Sequence, residues 1–150
     1  MNQEKSIDVL NTLIEINNDR IEGYETASEE TEESDLKMLF SELMKTSQKC
    51  KMELVSEVQK LGGEPIERTR TTGKFFRVWM DVKAALTGKN RKAILNSCEY
   101  GEDVAVDTYA KALKDDVEDL SYEQREMLES HYTAIKADHD KVKNLRDMAS

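Results

Sequence analysis

From Ile7 the chain sets Ile7, Leu10, Ile14, Asn17, Ile21, Tyr24 and Ser28 in unbroken steps of three and four residues. That period lines one face of an α-helix. A second run, Leu36, Leu39, Phe40, Leu43, Ser47, Cys50, Leu54, Val58 and Leu61, predicts a helix from about Asp35 to Leu61. Gly62 and Gly63 stop it, and Pro65 discourages a restart. A third run, Leu95, Cys98, Glu102, Ala105, Val106, Tyr109, Leu113 and Val117, predicts a helix from about Arg91 to Leu120. The fourth, from about Tyr122 to Met148, turns Leu128, His131, Ile135, His139, Val142 and Leu145 inward, and Ser121 with Gln124 matches a capping box at its start. Between the first two helices, Glu29, Glu30, Glu32 and Glu33 are too alike in charge to pack together. A solvated helix end or turn is expected there, with Ser34 or Asp35 capping the second helix.

Connection lengths order these helices. Two short turns make the first and second helices one antiparallel hairpin and the third and fourth another. The long stretch between Leu61 and Arg91 holds an amphipathic segment, Phe75 to Leu86, with Trp79 at its centre and Gly88 at its close. Its aromatics are expected to plug an open side of the helix assembly. A connection of that length can travel the length of a bundle, which would set the middle two helices parallel. An up-down-up-down bundle with a decorated loop is the alternative.

One internal echo accompanies this pattern. Asn17 precedes Tyr24 by seven residues, and Glu102 precedes Tyr109 by seven, eighty-five positions further on. The same offset aligns Leu10 with Leu95, Asn11 with Asn96 and Ala27 with Ala112, which suggests two related helix pairs. Seven residues are two helical turns, so each polar group and its tyrosine share an inward face.

Composition narrows the picture without changing it. The 150 residues suit one domain spanning 1–150, with a core that needs no disulfide staples. Charged residues at 35%, aromatics at 6%, six Gly and one Pro favour long amphipathic helices over sheets. The formal charge of -9 repels phosphate backbones, so nucleic acid is not an expected partner. That charge is uneven: residues 64–92 hold eight basic side chains against three acidic ones. This segment balances the acidic helices beside it or docks on an acidic surface. No apolar run reaches the length of a membrane span, and no secretory signal opens the chain, so a soluble cytoplasmic protein with reduced thiols at Cys50 and Cys98 is expected.

The chain resembles the ferritin-like superfamily, and within it an uncharacterised bacterial family of small four-helix-bundle proteins known as a domain of unknown function. The likeness is carried by the Leu61-Gly62-Gly63-Glu64-Pro65 turn, the crossover with Trp79, Leu86, Thr87 and Gly88, the stretch Cys98-Glu99-x-Gly101-Glu102-Asp103 with Tyr109, and His139-Asp140-x-Val142. The resemblance implies a ferritin-like four-helix bundle with a short extra helix in the crossover. It carries no activity with it.

Di-iron proteins of that architecture use a Glu from each of two helices and a Glu-x-x-His pair from each of the others. Glu102 stands where one such Glu would lie, but Asn17 occupies the matching place in the first helix. The second helix has no Glu-x-x-His, and Leu128 and Lys136 stand where His131 and His139 would need a Glu. Too few anionic ligands remain for paired irons. No metal, cofactor or catalytic residue is therefore expected. Asn17, Tyr24, Ser47, Cys50, Glu102, Tyr109, His131 and His139 are expected instead to form a polar layer in the core, whose unmet hydrogen bonds would penalise any other helix register.

The expected role is interaction or stress-associated rather than enzymatic. A homodimer or another protein partner would dock on an exposed helix face. The alternative is a degenerate or mononuclear site at mid-bundle, where Cys50, Glu102 and His131 or His139 would bind zinc or iron.

Overall fold

The computed structural model describes residues 3–67 and 90–149. They form four long helices, α1 (Gln3–Glu30), α2 (Ser34–Lys60), α3 (Arg91–Asp115) and α4 (Tyr122–Met148), with a short 3₁₀ turn at Val117–Asp119. No strand occurs among the described residues. The segment expected at Phe75–Leu86, with Trp79 and most of the basic stretch, lies outside them. Among the described residues no helix is long and apolar enough to cross a membrane.

Helix ends follow local chemistry, with two departures from expectation. After α2, Gly62 takes a φ of 80°. Its N–H donates to Gln59 O and the Gly63 N–H to Val58 O, both at 3.0 Å, which satisfies carbonyls the helix leaves open. Gly63 is required for another reason: a Cβ there would stand 2.9 Å from Cδ1 of Ile7, so the turn packs against the start of α1. Ser121 and Gln124 form a reciprocal capping box before α4.

The first departure concerns α2. Its N-cap is Glu33, with no side-chain capping bond, rather than Ser34 or Asp35. The turn is so short that Ser34 is already helical. Other side chains meet the open N–H groups: Thr31 Oγ1 accepts from the Glu33 N–H, and Asp35 Oδ1 accepts from the Leu36 N–H. Nor is this acidic turn wholly solvated: Arg91 donates to Glu33 at 3.3 Å and to Asp35 at 2.6 Å, tying the start of α3 to it.

The second departure is the end of α3, which stops at Asp115 instead of continuing to Leu120. Asp115, Asp116, Glu118 and Asp119 crowd negative charge onto the helix terminus that already carries the negative end of the dipole. The chain tightens into the 3₁₀ turn, and the Ser6 hydroxyl donates to the Asp119 carbonyl. Leu120 then extends and is buried.

Contacts between hairpins fix the helix directions. Asn17 meets Tyr109 while Tyr24 meets Glu102, so α1 and α3 run antiparallel. Glu42 meets Lys141, Glu53 meets His131 and Glu57 meets Gln124, so α2 and α4 are antiparallel too. With two antiparallel hairpins, α2 and α3 must be parallel. The end of α2 and the start of α3 therefore lie at opposite ends of the assembly.

Buried apolar residues fall into two compartments. One gathers Leu10, Leu13, Leu54, Val58, Ala112, Leu128 and Ile135, among others, from the start of α1 and the end of α2. The other gathers Tyr24, Leu36, Phe40, Leu43, Leu95, Cys98 and Val142 from the opposite end. Between them lies a slab of polar side chains.

Candidate functional site

Arg20 lies at the centre of that slab and is fully buried. Its Nε donates to Oε2 of Glu102 at 2.9 Å and its Nη2 to Oε1 at 2.6 Å, a two-pronged pairing with a carboxylate equally buried. Nη1 donates to the Ser47 hydroxyl at 2.6 Å, and Nη2 also reaches Asp138 at 3.3 Å. Tyr24 donates its hydroxyl to Glu102 Oε2 at 3.1 Å, and the guanidinium lies 5.8 Å from the Tyr24 ring centroid. Burial works against the charge on Arg20, but Glu102 outweighs it, and the arginine pKa stands above its ordinary value. Burial likewise raises the Asp138 carboxyl, against the opposing pull of Thr46 and Arg20.

A second knot centres on Tyr109. Asn17 Nδ2 donates to its hydroxyl at 2.9 Å and to the Leu13 carbonyl, while Asn17 Oδ1 has no partner among the described residues. The Tyr109 hydroxyl stands 3.1 Å from His131 Nδ1, and His131 Nε2 stands 2.6 Å from Glu53 Oε1. One tautomer satisfies both contacts: Nε2–H donates to Glu53 and Nδ1 accepts from Tyr109. Cys50 shares a hydrogen bond with Tyr109, and burial pushes its thiol up to about 11. Burial pushes the Cys98 thiol higher still. Neither sulfur is a ready thiolate.

Burial pulls the His131 pKa below its ordinary 6.5, against the opposing pull of Glu53. Glu53 is 45% exposed, so water screens its charge. The unfolded imidazole therefore takes its proton before the folded one, and stability falls as pH drops below about 6.5, the ordinary histidine value. Urea midpoints measured between pH 7.5 and 5.5 are expected to decline with acidity, with a shallower slope in His131→Phe. An unchanged slope would remove His131 as the cause.

The internal repeat reappears here as a pseudo-two-fold relation. Asn17 corresponds to Glu102 and Tyr24 to Tyr109 at the eighty-five-residue offset. In space the partners are exchanged: Asn17 bonds Tyr109, and Tyr24 bonds Glu102. The same offset relates Thr46 to His131 and Glu53 to Asp138. Again the bonds cross, Glu53 to His131 and Asp138 to Thr46. A two-fold axis between hairpins produces this exchange.

Seven of the eight residues expected in the layer, Asn17, Tyr24, Ser47, Cys50, Glu102, Tyr109 and His131, are buried at mid-assembly. His139 departs from that expectation. It lies on the flank, with Nε2 2.6 Å from Asp103 and Nδ1 3.1 Å from Asp140, because α4 turns Asp138 toward Arg20 at that level. The four candidate ligands therefore do not converge. Glu102 is held by Arg20, His131 by Glu53, Cys50 lies against Tyr109, and His139 stands apart.

Sequence reasoning missed Arg20, Asp138 and Glu53. The stripe from Asn17 to Tyr24 accommodates position 20 or 21, and apolar Ile21 was the natural choice, yet Ile21 is only partly buried. The available signal was Glu102 itself, since an inward carboxylate requires a cation or a proton.

No curated protein matches the chain closely enough to count as a relative. A family model matches residues 5–115, through α1, α2 and α3. The match ends before α4, which supplies Asp138 and His131 to the slab. By that match the chain belongs to the family described as Domain of unknown function (DUF2383).

Proposed function

We propose that this chain is a ferritin-like four-helix bundle in which a buried guanidinium stands in for the cationic centre that di-iron proteins of that architecture carry. The protein then acts as a non-catalytic, cytoplasmic interaction module of a stress-associated kind. One observation carries the reading: Arg20 engages both oxygens of Glu102, the carboxylate best placed to hold a mid-bundle ion. The parallel directions of α2 and α3 support the ferritin-like topology. An arginine hydrogen-bonded to three side chains neutralises Glu102 without metal, so the interior is arranged for register rather than for oxygen chemistry.

Ferrous iron mixed with the protein and then exposed to oxygen is expected to oxidise at the rate of the buffer alone. Accelerated oxidation that persists in an Asp103→Asn/His139→Ala variant would overturn the reading. Those substitutions leave the mid-bundle untouched.

A further inference from the structure

Outside the slab, Glu99 and Asp103 stand one helical turn apart on α3, and His139 faces them from α4. One ligand atom from each lies within 4.8 Å of the other two. His139 Nε2 is 2.6 Å from Asp103 Oδ1 and 3.9 Å from Glu99 Oε1. The imidazole and the Glu99 carboxylate are largely buried, while Asp103 is half exposed and gives access from solvent.

The surroundings orient each donor. His139 Nδ1 lies 3.1 Å from Asp140 Oδ1, and Lys136 donates to the same oxygen, so Nδ1–H is the tautomer that Asp140 selects. In that tautomer Nε2 turns its lone pair toward Asp103 and Glu99, so the three donor atoms face one another. Arg146 donates to Oε2 of Glu99 and also to Asn96 and Asp147, leaving Oε1 turned toward His139. Three carboxylates, Glu99, Asp103 and Asp140, surround the imidazole, while Lys136 pairs with Asp140 and Arg146 with Glu99, leaving a net negative charge that favours a cation.

We propose that Glu99, Asp103 and His139 bind a divalent transition-metal ion, zinc in the first instance, on the α3–α4 flank. Three protein ligands of imidazole and carboxylate type, with a fourth position open to water, suit Zn²⁺. Asp140 and Arg146 act as the outer partners that hold the ring and the Glu99 carboxylate in place. A modest spreading of Asp103 from His139 would admit the ion between them. This flank is separate from the mid-bundle, where the reading above places no metal.

Equilibrium dialysis of the full chain against zinc chloride tests the site, with circular dichroism to show that each variant is folded. The wild type is expected to retain one Zn²⁺ per chain. Affinity should fall more than about tenfold in His139→Ala and Asp103→Asn, and roughly 10- to 100-fold in Asp140→Asn, as is usual for an outer partner. No retained zinc in the wild type would overturn the site alone. Zinc retained in His139→Ala but lost in Cys50→Ser would overturn both this site and the metal-free mid-bundle.

Discussion

Replacing Arg20 by methionine is expected to lower stability by about 3–5 kcal/mol, the usual cost of leaving one partner of a buried ion pair uncompensated. For a domain of this size that corresponds to a fall in Tm of roughly 6–20 °C. The cost arises less from the lost attraction than from Glu102, fully buried and then facing only the Tyr24 hydroxyl. Arg20→Lys restores a charge but not the two-pronged fork, nor the reach to Ser47, so an intermediate loss is expected. Combining Arg20→Met with Glu102→Gln removes both charges while keeping an acceptor for Tyr24, and should recover more than half of the loss. Thermal and urea unfolding of these variants supply the comparison. A single Arg20→Met variant within about 1 kcal/mol of wild type would mean that Glu102 is protonated or reached by water, and the ion pair would lose its central place.

How much of this was legible in the chain depends on what each residue is paired with. The four helices were readable because apolar steps of three and four are local and strong, and α2 and α4 follow them closely. The end of α3 was not, because the apolar stripe runs on to Val117 while like charges at the helix terminus oppose it. The polar slab was half readable. Residues such as Asn17, Tyr24, Glu102 and Tyr109 announce themselves by interrupting an apolar face. Arg20 and Asp138 do not, since either looks like an ordinary surface charge until the opposite helix is in place. His139 was misplaced for the reverse reason: it sits in step with Ile135 and Val142, yet the helix is turned so that Asp138 takes the inward position. The repeat was visible as spacing, but its exchange of partners required knowing that α1 and α3 run antiparallel.

Phe40→Ala is expected to cost about 3–5 kcal/mol, because the ring is fully buried in the apolar compartment it shares with Tyr24, Leu36, Leu43 and Leu95. Phe40 stacks on Tyr24 with centroids 5.8 Å apart and ring planes 16° from parallel. Such a pair adds about 0.5–1.5 kcal/mol beyond burial. Tyr24 in turn holds Glu102 through its hydroxyl, so the apolar end and the charged slab meet in one side chain. Emptying the Phe40 site frees the Tyr24 ring to tilt, which lengthens its bond to Glu102. Phe40→Leu, which refills much of the volume, should cost less than half as much. A double-mutant cycle of Phe40→Ala with Tyr24→Phe isolates the link, and a coupling of about 0.5–3 kcal/mol is expected for residues in contact. Strict additivity would show the two to be independent, with the slab held by Arg20 alone. Substantial coupling would make the stacked pair the route by which packing at one end of the bundle sets the geometry of the charges at its centre.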